Sequence, residues 1–143
     1  MMKYVLGWAL MVMSTAVSAA EVSASGAWIR LLPGSLPGAG YVELKNEGPD
    51  PVTLVRIDSP AFDDIELHLS SDEGGVARMQ HVERLDLPPG EAVVLAQGGY
   101  HLMMFGRTAG LKLGEHVLVT LYFADGSHSE YAFRLARDKP TVE

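Results

Sequence analysis

The sequence has no cysteine among its 143 residues. That absence excludes a disulfide framework, a thiolate zinc site, an iron–sulfur cluster, a thiol nucleophile and a cysteine-ligated blue-copper centre. Basic charge is also scarce, with 11 Lys and Arg against 18 Asp and Glu and a formal charge of −7. Such a balance argues against a nucleic-acid partner, which requires a basic footprint. No G-x-S-x-G, H-E-x-x-H or phosphate-cradling glycine loop occurs, and no nucleophile stands beside a base, so an enzyme is not expected. Sustained helical periodicity is missing as well. The apolar window Leu102 to Leu111 is interrupted by Gly106 and Gly110, which disfavour a helix.

Residues 1–20 read as a secretory signal peptide: Met1-Met2-Lys3, an apolar stretch from Tyr4 to Met13, then the small-residue run Ser14 to Ala20. The apolar core is too short to span a bilayer, so cleavage after Ala19 or Ala20 and no further membrane insertion are expected. The mature domain, residues 21–143, then keeps Met79, Met103 and Met104 of the seven methionines, and all five histidines: His68, His81, His101, His116 and His128. An exported chain of this length without disulfides can be held by its core alone.

Turn clusters recur about every ten residues, among them Pro33-Gly34, Pro37-Gly38, Asp72-Glu73-Gly74-Gly75, Pro88-Pro89-Gly90, Gly98-Gly99 and Asp125-Gly126. Short segments with a period of two lie between them, which predicts an all-β sandwich or small barrel. Strands are expected at Val22–Leu31, Gly40–Lys45, Val52–Ile57, Asp64–Ser70, Val76–Val82, Ala92–Leu95, Tyr100–Phe105, His116–Phe123 and His128–Ala136. Asp125-Gly126 is expected to join the last two as a tight hairpin.

Alternation also sorts the candidate donors. Tyr100, Leu102 and Met104 should face the core, leaving His101 and Met103 together on the other face; Met79 and His81 share a face, and His68 lies opposite Ile65, Leu67 and Leu69. Imidazole and thioether need no thiol, and two of each make a donor set soft enough to prefer Cu(I) over hard cations. Taken singly, each residue has a plainer reading: methionine as core filler, histidine as a surface or hydrogen-bonded residue, Trp28 and Tyr100 as ordinary core aromatics, with packing around the site as their alternative. His81 reads by default as a surface residue, with a supporting or spare-donor role as its alternative, and His116 and His128 as solvated. The acidic pairs Asp63-Asp64 and Asp72-Glu73 lack the loop spacing of a calcium site.

The spacing argues more strongly than the residues do. His68, Met79, His101 and Met103 fit H-x10-M-x21-H-x-M without a gap, a coincidence on the order of one in ten thousand when counted against the composition. The chain thereby resembles the periplasmic copper chaperones of the PCu(A)C family. Further landmarks run in the family's order: Ala27-Trp28-Ile29-Arg30 before a Pro-Gly loop, Gly38-Ala39-Gly40-Tyr41 ahead of Asn46, Leu67-His68, Leu87-Pro88-Pro89-Gly90, Gly98-Gly99-Tyr100-His101-Leu102-Met103 and Leu121-Tyr122-Phe123. The resemblance covers essentially the whole mature chain.

That resemblance implies a cupredoxin-like Greek-key β-sandwich of about 8–9 short strands, with His68, Met79, His101 and Met103 as ligands of one Cu(I). It further implies periplasmic delivery of copper for cytochrome c oxidase assembly, to a copper-receiving oxidase subunit or a Sco-type assembly protein. Two features depart from the pattern: Leu69 stands where many members have Met, and Asp138 to Glu143 lack the His- and Met-rich extension that holds a second, Cu(II)-type ion in some. A copper storage or resistance buffer would use the same donors. A metal-free β-sandwich interaction module would show the same turn spacing. Thioether and imidazole ligands suit a carrier, because they hold Cu(I) without the grip of thiolates and persist in an oxidising compartment. Acid should weaken the site by proton competition, and oxidation of the two thioethers should disable it.

Overall fold

The computed structural model describes residues 20–141; the expected signal peptide, apart from Ala20, lies outside the described residues. The alternating segments form ten strands: β1 (Val22–Arg30), β2 (Gly38–Asn46), β3 (Val52–Asp58), β4 (Phe62–Glu73), β5 (Val76–His81), β6 (Leu85–Leu87), β7 (Ala92–Leu95), β8 (Tyr100–Arg107), β9 (His116–Phe123) and β10 (His128–Ala136). Nine of them fall where alternation places them. β6 is the addition: three residues ended by Pro88-Pro89 are too short to display a period, yet they pair with Val52–Leu54 of β3.

One hydrogen-bonded path runs β5-β4-β8-β2-β1-β10-β9-β3-β6, with β7 pairing β2 beyond the point where β8 leaves it. β1 and β10 pair in parallel and the other neighbours are antiparallel. The path folds over on itself so that β3 packs against β4, and every strand but β5 turns one face to a common core. Ile29, Leu44, Leu54, Leu87, Leu95, Leu102, Val119, Leu121, Phe133 and Leu135 are buried there. This is the all-β, cupredoxin-like architecture expected from the sequence.

Two hairpins set the strand registers differently. Gly74 and Gly75 both take positive φ, 64° and 78°, so β4 and β5 join through a two-residue turn whose backbone twist matches the strands. β4 consequently runs on to Glu73, past the expected Ser70. At Asp125-Gly126 only Gly126 is left-handed, at 87°. Asp125 instead accepts hydrogen bonds on Oδ1 from the Ser127 amide and hydroxyl, closing a longer loop by side-chain capping.

Candidate metal centre

A residue directly opposite another in an antiparallel pair projects to the same face. His68 on β4 pairs with His81 on β5 and with His101 on β8, so three imidazoles form one row across three strands. Ser70 pairs with Met79 one step along β4 on the same face, and Glu66 pairs with Met103 one step the other way. The register therefore gathers His68, Met79, His101 and Met103 on one sheet face, although up to 35 positions separate them along the chain. The opposite face of the same strands carries Ile65, Leu67, Leu102 and Met104, all buried in the core, as alternation predicts.

The His68 ring centre lies 5.9 Å from that of His101 and 5.9 Å from that of His81, each pair edge-on. Metal–nitrogen bonds of about 2.0–2.1 Å allow two imidazoles to share an ion at ring separations up to about 6.5 Å. Exposure rises across the face, from 6% for His101 to half-buried His68 and Met103 and to 54% for Met79. His81 is exposed, as expected of a surface histidine, but stands next to His68.

Two backbone and side-chain contacts orient the rings. The Gly98-Gly99 turn, with Gly98 at φ 87°, presents the Gly99 carbonyl, which accepts from the Ser70 amide at 3.0 Å and from His101 Nδ1 at 3.1 Å. His68 Nε2 lies 2.8 Å from Glu66 Oε2. The bond to His68 is the main cause holding the Glu66 carboxyl below the ordinary carboxylate range. The other His68 ring nitrogen, Nδ1, is buried with no partner. A buried polar atom without a hydrogen bond is costly, and a coordinated cation would satisfy it. Among the described residues no three or more His, Asp or Glu side chains are grouped to hold a metal ion. The thioethers of Met79 and Met103 on the same face are soft donors and suit a soft ion.

Sequence reasoning assigned no role to Glu66; the signal was its place two residues before His68 on a strand, which puts both on one face. Trp28, buried at 5% exposure, also lies on this face. It pairs with Tyr41 across β1 and β2, their ring centres 5.1 Å apart, and the Arg30 guanidinium stacks at 5.3 and 5.9 Å from the two rings. Tyr100 packs on the core, and His116 and His128 are exposed. An open cavity of about 400 Å³ adjoins the centre, lined by Ile57, Ile65, Glu66, His81 and Arg84 among others. None of the four predicted ligands lines it.

Residues 22–134 match the family described as "LpqE-like: Putative lipoprotein LpqE-like". The "Putative lipoprotein Lxx21020" of Leifsonia xyli subsp. xyli (strain CTCB07) is 35% identical over 112 residues, covering 78% of this chain and 67% of that protein. Among solved structures, the copper-bound PCuAC domain from PmoF2 superposes with a TM-score of 0.69 at 19% identity, over 85% of this chain and 97% of the domain. The solution structure of CuI-DR1885 from Deinococcus radiodurans has a TM-score of 0.65 at 28% identity, over 87% of this chain and 83% of that one. By sequence the chain belongs to the LpqE-like family, and its fold is that of the PCuAC domains.

Proposed function

We propose that this protein is an exported Cu(I) carrier that binds one ion through His68, Met79, His101 and Met103 and hands it to a partner in the periplasm. The observation that carries the reading is the gathering of those four side chains on one sheet face around a buried, unpartnered imidazole nitrogen of His68. A related chain of the same fold, DR1885, is known in a Cu(I) form. Residues 1–20 would direct export and be removed.

The gradient of exposure favours transfer over permanent storage. His101, held by Gly99, forms the fixed end of the site, whereas Met79 lies on β5, an edge strand whose six residues are all exposed. A thioether there is free to swing away and yield its coordination position to an incoming donor without disturbing the core. The acceptor fitting this exchange is another soft copper site, such as that of a copper-receiving oxidase subunit or a Sco-type assembly protein.

Titration with Cu(I) against a competing chelator is expected to show one ion per chain, with X-ray absorption reporting two nitrogen and two sulfur scatterers. His101→Ala or Met103→Ala should abolish tight binding. If all four single alanine variants bind Cu(I) as the parent does, the reading fails. Oxidase activity at low copper and growth at high copper in a deletion strain separate delivery from storage.

A further inference from the structure

The two imidazoles at the centre are turned in opposite senses. A carboxylate offers only lone pairs, so the 2.8 Å contact with Glu66 Oε2 places the His68 proton on Nε2. The lone pair of the neutral ring is then on Nδ1, the buried atom without a partner. At His101 the geometry is reversed. A carbonyl is likewise an acceptor only, so the 3.1 Å contact with the Gly99 oxygen places the proton on Nδ1 and the lone pair on Nε2.

We propose that Glu66 is a positioning residue of the copper site, fixing His68 as an Nδ1 ligand facing the Nε2 ligand of His101. This rests on the Cu(I) reading above. Glu66 does not touch the ion; it acts through the far side of the His68 ring. An imidazole that donates its second N–H to a carboxylate is held in one tautomer and one orientation and is a stronger electron donor than one bonded to water. His101 receives the weaker version of the same support, from a neutral carbonyl, but is itself buried and has less freedom to lose. The division follows the fold. His101 is the second residue of β8, next to a glycine turn whose Gly99 carbonyl reaches the ring, whereas His68 lies in mid-strand, where Glu66 two residues away on the same face supplies the acceptor.

The test is long-range 15N–1H correlation of the histidine rings in the 15N-labelled protein; Cu(I), being diamagnetic, leaves the signals observable. Without copper, His68 is expected to carry its proton on Nε2 and His101 on Nδ1. One equivalent of Cu(I) should then shift His68 Nδ1 and His101 Nε2. Glu66→Ala should leave His68 distributed between tautomers, keep His101 unchanged and weaken Cu(I) about tenfold to a hundredfold. Glu66→Gln, whose amide oxygen accepts the same N–H, should restore the tautomer and part of the affinity. A copper-free His68 protonated on Nδ1, copper bound to its Nε2, or a Glu66→Ala variant with the parental tautomer and affinity would overturn the proposal. If the copper-free tautomers are as stated but Cu(I) moves neither ring, the copper site itself is misassigned and the proposal falls with it.

Discussion

His68 of β4 stands directly across from His101 of β8, their ring centres 5.9 Å apart and their planes at 71°. Behind that pair, Leu67 and Leu102 are also register partners and are buried on the opposite face. The site and the core are thus two sides of one strand pair, and their contributions can be separated by mutation.

Leu102→Ala deletes a fully buried side chain between His101 and Met103 without removing a donor. Loss of about 2–5 kcal/mol is expected, measured by urea unfolding of the copper-free protein. Below the unfolding range the variant should still bind one Cu(I).

Met79 is 54% exposed whereas Met104 is 1% exposed, and Met103 lies between them. Dilute peroxide should therefore oxidise Met79 first and Met104 last, as read by peptide mass spectrometry. Cu(I) binding should weaken in step with Met79 sulfoxide and recover with methionine sulfoxide reductase.

Gly106 lies in β8 with φ at 64°, and a Cβ there would overlap the Asp63 side chain. Gly106→Ala combines a left-handed backbone with that clash and should cost about 1–3 kcal/mol. Gly126→Ala, left-handed but in open space, should cost less; thermal unfolding of the two variants ranks them.

Burial raises the Tyr131 phenol above its ordinary value, and its hydroxyl donates to the Val22 carbonyl. A group with a raised folded-state value stabilises the fold fully below its unfolded value and loses that contribution as pH rises through the folded one. Stability should fall with increasing alkalinity, and Tyr131→Phe should remove that part of the slope. The acid side has the opposite sign. Asp125, lowered by its bonds to Ser127, and Glu66, lowered by His68, stabilise above their unfolded values and cease to as pH falls through the folded ones. Asp125→Asn should flatten the acid limb in pH-dependent unfolding.

Strand alternation is a local property, so the chain alone was enough to place Met104 inward and Met103 outward, to free His68 from the face of Leu67, and to put β9 and β10 within their observed bounds. Spacing also singled out four candidate donors for a soft metal. It did not reveal β6, which is shorter than one readable period, or the capping of the last hairpin by Asp125. Nor could it decide that Trp28 stacks with Tyr41 and Arg30 on the face opposite Ile29, because the bulge between Ser25 and Trp28 resets the alternation of β1. The register that sets His68 between His81 and His101 is non-local. It depends on strands distant in sequence sliding until both faces match, and a one-residue slip would turn the donors into the core. Ring orientation belongs to the same class. Which nitrogen of each histidine is offered depends on whether Glu66 or the Gly99 carbonyl stands behind it, a relationship that exists only once the sheet has formed.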